Sequence, residues 1–148
     1  MEIAVLALGC FWGPEIKFSK LNGVGQTEVG YCGGNSNSTT YKEVCTGETN
    51  HAEVVKVEFD NSKISYEEIL NYFFEIHNPT TLNKQGPDIG TQYRSEIFYL
   101  SEDQKKIATN VLKNYNEKFD GKIVTTISKI KNYCKAENYH QKYLEKKF

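Results

Sequence analysis

The sequence predicts an α+β fold, a two-layer sandwich in which helices flank a mixed sheet with a ferredoxin-like core. Three observations predict it. Short apolar or alternating runs of strand length recur along the chain, separated by amphipathic runs of helical period. Their order contains β-α-β-β-α-β, the arrangement a ferredoxin-like core requires. No linker, internal repeat or low-complexity tract divides the 148 residues, so residues 1–148 read as one domain.

The first strand runs from Glu2 to Leu8, where apolar residues occupy both alternation phases, as in a strand buried on both faces. Cys10 lies just past its end. Pro14 suits the first turn of a helix, where its missing N–H costs nothing, and Gly23 closes that helix after Leu21. A second strand, Gly25 to Tyr31, leads into Gly33-Gly34-Asn35-Ser36-Asn37-Ser38, a loop by composition. In the next strand, residues 52–59, Glu53 shares one face with Val55, Val57 and Phe59. A carboxyl is thereby placed on the apolar side.

Ser65-Tyr66-Glu67-Glu68 is a capping-box signal, and Tyr66, Ile69, Leu70, Phe73 and Phe74 follow at helical spacing. Asn78 to Arg94 has two prolines, two glycines and little periodicity, which makes it a long loop of the kind that carries function. A strand is expected from Ser95 to Leu100. Ser101 then caps a second amphipathic helix, with Ile107, Ala108, Val111, Leu112, Tyr115 and Phe119 facing inward. The remaining expectations are a strand from Lys122 to Ile130 and a terminal helix from Ala136 to Lys146.

Charge and cysteine usage narrow the function classes. With 18 basic and 19 acidic residues interleaved and a net charge of −1, the chain offers no electrostatic surface for nucleic acid or a membrane. The four cysteines, Cys10, Cys32, Cys45 and Cys134, are far sparser than in secreted disulfide scaffolds. They form no C-x-x-C pair and do not combine with His51, His77 or His140 at zinc-site spacing. A reducing compartment without a structural metal is expected. The apolar run Ile3 to Leu8 lacks a basic leader and is too short to span a bilayer, so a cytoplasmic protein is the simplest expectation.

Gly9-Cys10-Phe11-Trp12-Gly13-Pro14-Glu15 is the stretch best suited to chemistry. Backbone N–H groups at a helix start favour a thiolate, so Cys10 is a candidate nucleophile with a lowered pKa, although free cysteines are commonly just buried. Phe11 and Trp12 could wall a small apolar group or simply belong to the core. Glu53, desolvated on an apolar face, could stay protonated and act as an acid, or could reach water at the strand end. Tyr41, Asp88 and Tyr93 lie in loop-like contexts where a phenol could hydrogen-bond a polarised oxygen. Composition alone does not select them from ten tyrosines. His51 or His140 paired with Cys10 would make a cysteine hydrolase.

Taken together, Gly9-Cys10-Phe11-Trp12-Gly13, Gly30-Tyr31-Cys32-Gly33-Gly34, His51-Ala52-Glu53-Val54-Val55, Gln85 to Ser95 and Ala136-Glu137-Asn138-Tyr139-His140-Gln141 resemble, in order, the motifs of the peptide methionine sulfoxide reductase A family. The resemblance covers nearly the whole chain. It implies reduction of the S-epimer of methionine sulfoxide, free or in oxidised proteins, as part of protein repair under oxidative stress. It implies Cys10 as nucleophile, Glu53 as proton donor, Phe11 and Trp12 around the substrate methyl, and Tyr41, Asp88 and Tyr93 around the sulfoxide oxygen. Oxygen transfer would leave Cys10 as a sulfenic acid, a reversible state that a second thiol reduces, with no metal or organic cofactor.

Many family members carry a resolving cysteine in a glycine-rich tail, whereas this sequence ends Lys146-Lys147-Phe148. A one-cysteine type is therefore expected, recycled by an external thiol: thioredoxin, or glutathione with glutaredoxin. Cys134 is the most atypical of the other cysteines and the alternative resolver. Some relatives have selenocysteine at the position of Cys10. The competing readings are the cysteine-histidine hydrolase and a non-catalytic binding module for oxidised methionine segments.

Overall fold

Why residues 2–8 are apolar in both phases is answered by where they sit. The computed structural model describes residues 1–36 and 38–144, and among them β1 (Glu2–Leu8) lies inside a six-stranded sheet. It pairs antiparallel with β3 (Ala52–Phe59) on one side and β6 (Ser95–Tyr99) on the other. β2 (Val24–Cys32) lies antiparallel outside β3. With α1 (Trp12–Ser19) and α3 (Tyr66–Glu75) as crossovers, the order β6-β1-β3-β2 is the ferredoxin-like core read from the element order. β7 (Thr126–Lys129) extends it parallel to β6, which makes the sheet mixed, and the two-residue β8 (Cys134–Lys135) borders β2.

The sheet has two apolar faces. On one, Ala4, Leu6 and Leu8 of β1 and Val55, Val57 and Phe59 of β3 pack with Phe18 of α1 and with Ile69, Leu70, Phe73 and Phe74 of α3. On the other, Val5, Ala7, Cys32, Ala52, Val54 and Phe98 are covered by Ile3, Ile130 and Tyr133. The Ser65–Glu68 capping box forms as read. α4 (Glu102–Lys118) starts behind the Ser101 cap and packs on α3, burying Ala108 and Val111.

Besides β8, two stretches hold local structure that was not foreseen. α2 (Tyr41–Cys45) is one short helix whose Thr40 cap accepts the Glu43 N–H. Within the long loop, β4 (Lys84–Gln85) and β5 (Asp88–Ile89) pair as a minimal hairpin, followed by a single 3-10 turn over Thr91–Tyr93. The Gln85 side-chain amide ties the start of this loop by bonding both the N–H and the C=O of Asn78.

The terminal helix expected over Ala136–Lys146 is corrected. Residues 138–142 form turns, helical backbone is found only at 143–144, and the part of that expectation at 145–146 lies outside the described residues. The reason is competition for backbone groups. The Lys142 N–H is captured by Glu15 Oε1 at 2.6 Å, and Lys142 adopts φ 51°, incompatible with helix continuation. Gln141 also bonds both the N–H and the C=O of Val29, at 2.9 and 2.8 Å. The segment is thus tied to β2 and α1. The strand expected over Lys122–Ile130 is likewise shorter, because Val124 donates its N–H to the Pro79 carbonyl before pairing begins at Thr126.

Phe18 and Phe73 are fully buried, whereas Leu82 is exposed. Truncating Phe73 to Ala is expected to cost about 3–5 kcal/mol in urea unfolding. Leu82→Ala is expected to stay within about 0.5 kcal/mol.

Candidate active site

The end of β1 and the start of α1 are separated by a tight bend that holds Cys10. Gly9 makes that bend at φ 96°, and a Cβ there would lie 2.7 Å from the Gln85 side chain, so the β4–β5 hairpin closes directly over it. α1 begins at Trp12 with no side-chain cap. In place of one, the Phe11 N–H is taken by Glu53 Oε1 of β3 at 3.2 Å. The strand phase that put Glu53 on the apolar face therefore brings its carboxyl beneath the cysteine bend.

Glu53 is 1% exposed, and its second oxygen, Oε2, is buried without a hydrogen-bond partner. Burial raises its pKa to about 8; the Phe11 N–H pulls down and the charge of Asp88 pushes up. A carboxyl so shifted favours its protonated form at neutral pH, and Oε2 is the oxygen left without a partner.

The lowered thiol pKa expected for Cys10 is corrected. Burial pushes it up to about 11; the Trp12 N–H does lower it, as a helix start should, but Glu53, Asp88 and Cys45 raise it further. Desolvation outweighs a single backbone donor, and the resting residue is a thiol.

Phe11 and Trp12 form one wall of the site. Phe11 is buried and its ring lies 5.7 Å from that of Tyr31 on β2. Trp12 is half-buried, donates its indole N–H to His140 Nδ1 at 3.0 Å and stacks on Tyr143 at 4.0 Å. Across the site, Tyr41 opens α2, Asp88 lies in β5 and Tyr93 ends the 3-10 turn. The Tyr41 side chain lies close to those of Tyr93 and Cys45. Burial lifts Tyr41 above the ordinary phenol range and Tyr93 to about 12, with Glu53 adding to both, so each phenol stays neutral and able to donate. Cys10, Phe11, Trp12, Glu53, Tyr41, Asp88 and Tyr93 converge on one region.

His140 packs against Phe11, Trp12 and Tyr41 in the site itself, whereas His51 is engaged elsewhere. His140 uses Nδ1 on the Trp12 indole, and His51 bonds the Ser36 carbonyl at 2.8 Å. Among the other cysteines, Cys45 bears electrostatically on Cys10, whereas the Cys134 sulfur faces the Thr39 carbonyl at 3.6 Å. All four are free thiols. Sequence reasoning missed Glu137, whose carboxylate accepts the Tyr31 hydroxyl and the Tyr41 N–H. It stands in a quoted motif, but partners 106 and 96 residues away leave no local signal. Glu15 was missed for the same reason; it is buried, and it accepts from Thr27 Oγ1 as well as from the Lys142 N–H.

The family model described as peptide methionine sulfoxide reductase matches residues 2–148. The chain belongs to the peptide methionine sulfoxide reductase family. A peptide methionine sulfoxide reductase MsrA from Pelagibacter ubique is 72% identical over 147 residues, covering 99% of this chain and 100% of that protein. The crystal structure of reduced Mxr1 from Saccharomyces cerevisiae superposes with TM-score 0.93 at 42% identity, covering 98% of this chain and 84% of that one. The structure of Mxr1 in complex with Trx2 matches with TM-score 0.69 at 28% identity, covering 96% and 84%. As a member of this family the chain is a thiol-dependent oxidoreductase that reduces methionine sulfoxide. Among the described residues no cluster of three or more His, Cys, Asp or Glu side chains could hold a metal ion, and no helix is long and apolar enough to cross a membrane.

The raised pKa of Glu53 carries a stability consequence. The folded state holds its proton up to about 8, while the unfolded chain releases it near the ordinary carboxyl value of 4.5. Stability is therefore full below the lower value and falls as pH rises through the upper one. Glu53→Gln is expected to remove this loss, raising Tm at alkaline pH more than at acidic pH, as read by thermal unfolding across the range.

Proposed function

We propose that Cys10 attacks the sulfur of the S-epimer of methionine sulfoxide while Glu53 donates a proton to the departing oxygen. The observation that carries this reading is the buried, unpartnered Oε2 of a carboxyl whose other oxygen holds the backbone next to Cys10. A sulfoxide sulfur becomes electrophilic when its oxygen is protonated or strongly hydrogen-bonded, so acid and nucleophile must meet at one small site. As the Cys10 proton leaves and Glu53 protonates the sulfoxide oxygen, a bond forms between the Cys10 sulfur and the substrate sulfur; the hydroxyl then passes to the Cys10 sulfur as that sulfur–sulfur bond and the substrate S–O bond break, and the Cys10 proton restores Glu53. The products are methionine and a Cys10 sulfenic acid, with one proton passed through Glu53. Phe11 and Trp12 hold the substrate methyl, and the neutral phenols of Tyr41 and Tyr93 donate toward the oxygen. Asp88 helps keep Glu53 protonated.

An external thiol then condenses with the sulfenic acid, releasing water, and a second thiol frees Cys10 as a disulfide departs. Thioredoxin fits this role because the yeast relative has been captured with Trx2; glutathione with glutaredoxin supplies the same chemistry. Both free and protein-bound sulfoxide are substrates in this reading. Four unpaired thiols fit a reducing, cytoplasmic setting.

Mass spectrometry after one turnover without reductant tests the reading directly. The expected product is a single oxygen on Cys10, trapped by a sulfenic-acid reagent, with the other three thiols still free. An intramolecular disulfide would replace external recycling with an internal resolver. Cys10→Ser is expected to abolish turnover, and full activity in that variant contradicts the nucleophile assignment. Glu53→Gln is expected to slow single-turnover reduction about 10²–10⁴-fold, as for loss of a general acid. The wild-type rate is expected to fall as pH rises through about 8, and the variant is expected to lose that limb.

A further inference from the structure

α2, which carries Tyr41, is a weak platform. It has five residues, only Val44 of which is buried, and a helix this short has no independent stability. Beyond the Thr40 cap, its first turn is held by Glu137. Oε2 of that carboxylate accepts the Tyr41 N–H at 2.9 Å. Oε1 accepts the hydroxyl of Tyr31 at 2.8 Å. Tyr31 is fully buried on β2, and its ring packs on Phe11, so the far end of the link is anchored in the core beside the nucleophile bend.

We propose that Glu137 is a positioning residue that sets the Tyr41 hydroxyl for the reaction by bridging the rigid Tyr31 of β2 to the first N–H of α2. The proposal rests on the reading that the Tyr41 hydroxyl donates toward the sulfoxide oxygen. Both donors point at a carboxylate, a charge-assisted arrangement stronger than a neutral one. Burial opposes the charge, but the hydrogen bonds from Tyr41, its own backbone and Tyr31 outweigh it and hold Glu137 below the ordinary carboxyl range. The same turn carries His140, which fixes Trp12. One segment thus orients the wall that holds the methyl and the donor that faces the oxygen.

The test is a double-mutant cycle on reduction of free methionine sulfoxide, with Glu137→Ala, Tyr41→Phe and the pair. Glu137→Ala is expected to lower kcat about 10²-fold, at the low end of the range for a lost oxygen-side donor, with KM nearly unchanged. Alkylation of Cys10 by iodoacetamide, which needs no oxygen-side donor, is expected to keep its wild-type rate. Tyr41→Phe is expected to add no further loss in the Glu137→Ala background, because the hydroxyl is already misplaced. Losses that multiply, or wild-type turnover in Glu137→Ala, overturn the proposal. If Tyr41→Phe alone is fully active, the hydroxyl reading itself fails and this proposal falls with it, which separates the two failures. Should Glu137→Ala not fold, Glu137→Gln keeps the volume but leaves one donor facing an amide N–H₂. The same kcat loss and the same non-additivity are expected of it, and full turnover contradicts the bridge.

Discussion

The site depends on one hydrogen bond, from the Phe11 N–H to a carboxyl oxygen of Glu53. An acidic side chain on the apolar face of a central strand is costly when ionised, and burial favours the protonated form, which avoids that cost. The bond does two things at once. It satisfies a donor at the uncapped start of α1, and it brings a proton-bearing oxygen beside the bend that presents Cys10. The acid lies on β3 and the nucleophile in the bend just past the end of β1, and these two strands are hydrogen-bonded neighbours, so the sheet brings the two groups together.

Around that pair, Trp12, Tyr31 and Tyr41 are held by long-range polar contacts to a single segment. His140 accepts the Trp12 indole, Glu137 takes the Tyr31 and Tyr41 donors, Gln141 pairs with the Val29 backbone and Lys142 donates its N–H to Glu15. These contacts do for residues 138–142 what helix hydrogen bonds would otherwise do, and those residues form turns instead. The result is a brace running from α1 across β2 to α2.

Much of the fold was legible because it follows from period. The buried phase of β1, the phase that turns Glu53 inward with Val55 and Val57, and the Ser65 capping box are local patterns with local causes. The terminal helix was misread because its periodicity is real, while the groups that break it, Glu15 and Val29, lie more than 100 residues away. α2 escaped notice because five residues carry no period. At the site, the residue types were readable, but the state of Cys10 was not. A helix-start N–H is visible in sequence, whereas the burial that overrides it is a property of the packed structure. Family motifs, not composition, singled out Tyr41 and Tyr93.

The central claim is that Glu53 is a neutral acid in the resting enzyme. Infrared difference spectroscopy between the wild type and Glu53→Gln across a pH series tests it most directly, since a protonated carboxyl has a carbonyl stretch that a carboxylate lacks. The account predicts a protonated band present at neutral pH and lost with a midpoint near the raised value of about 8. A carboxylate signal alone at neutral pH, with the protonated band appearing only near the ordinary carboxyl pKa, would contradict it.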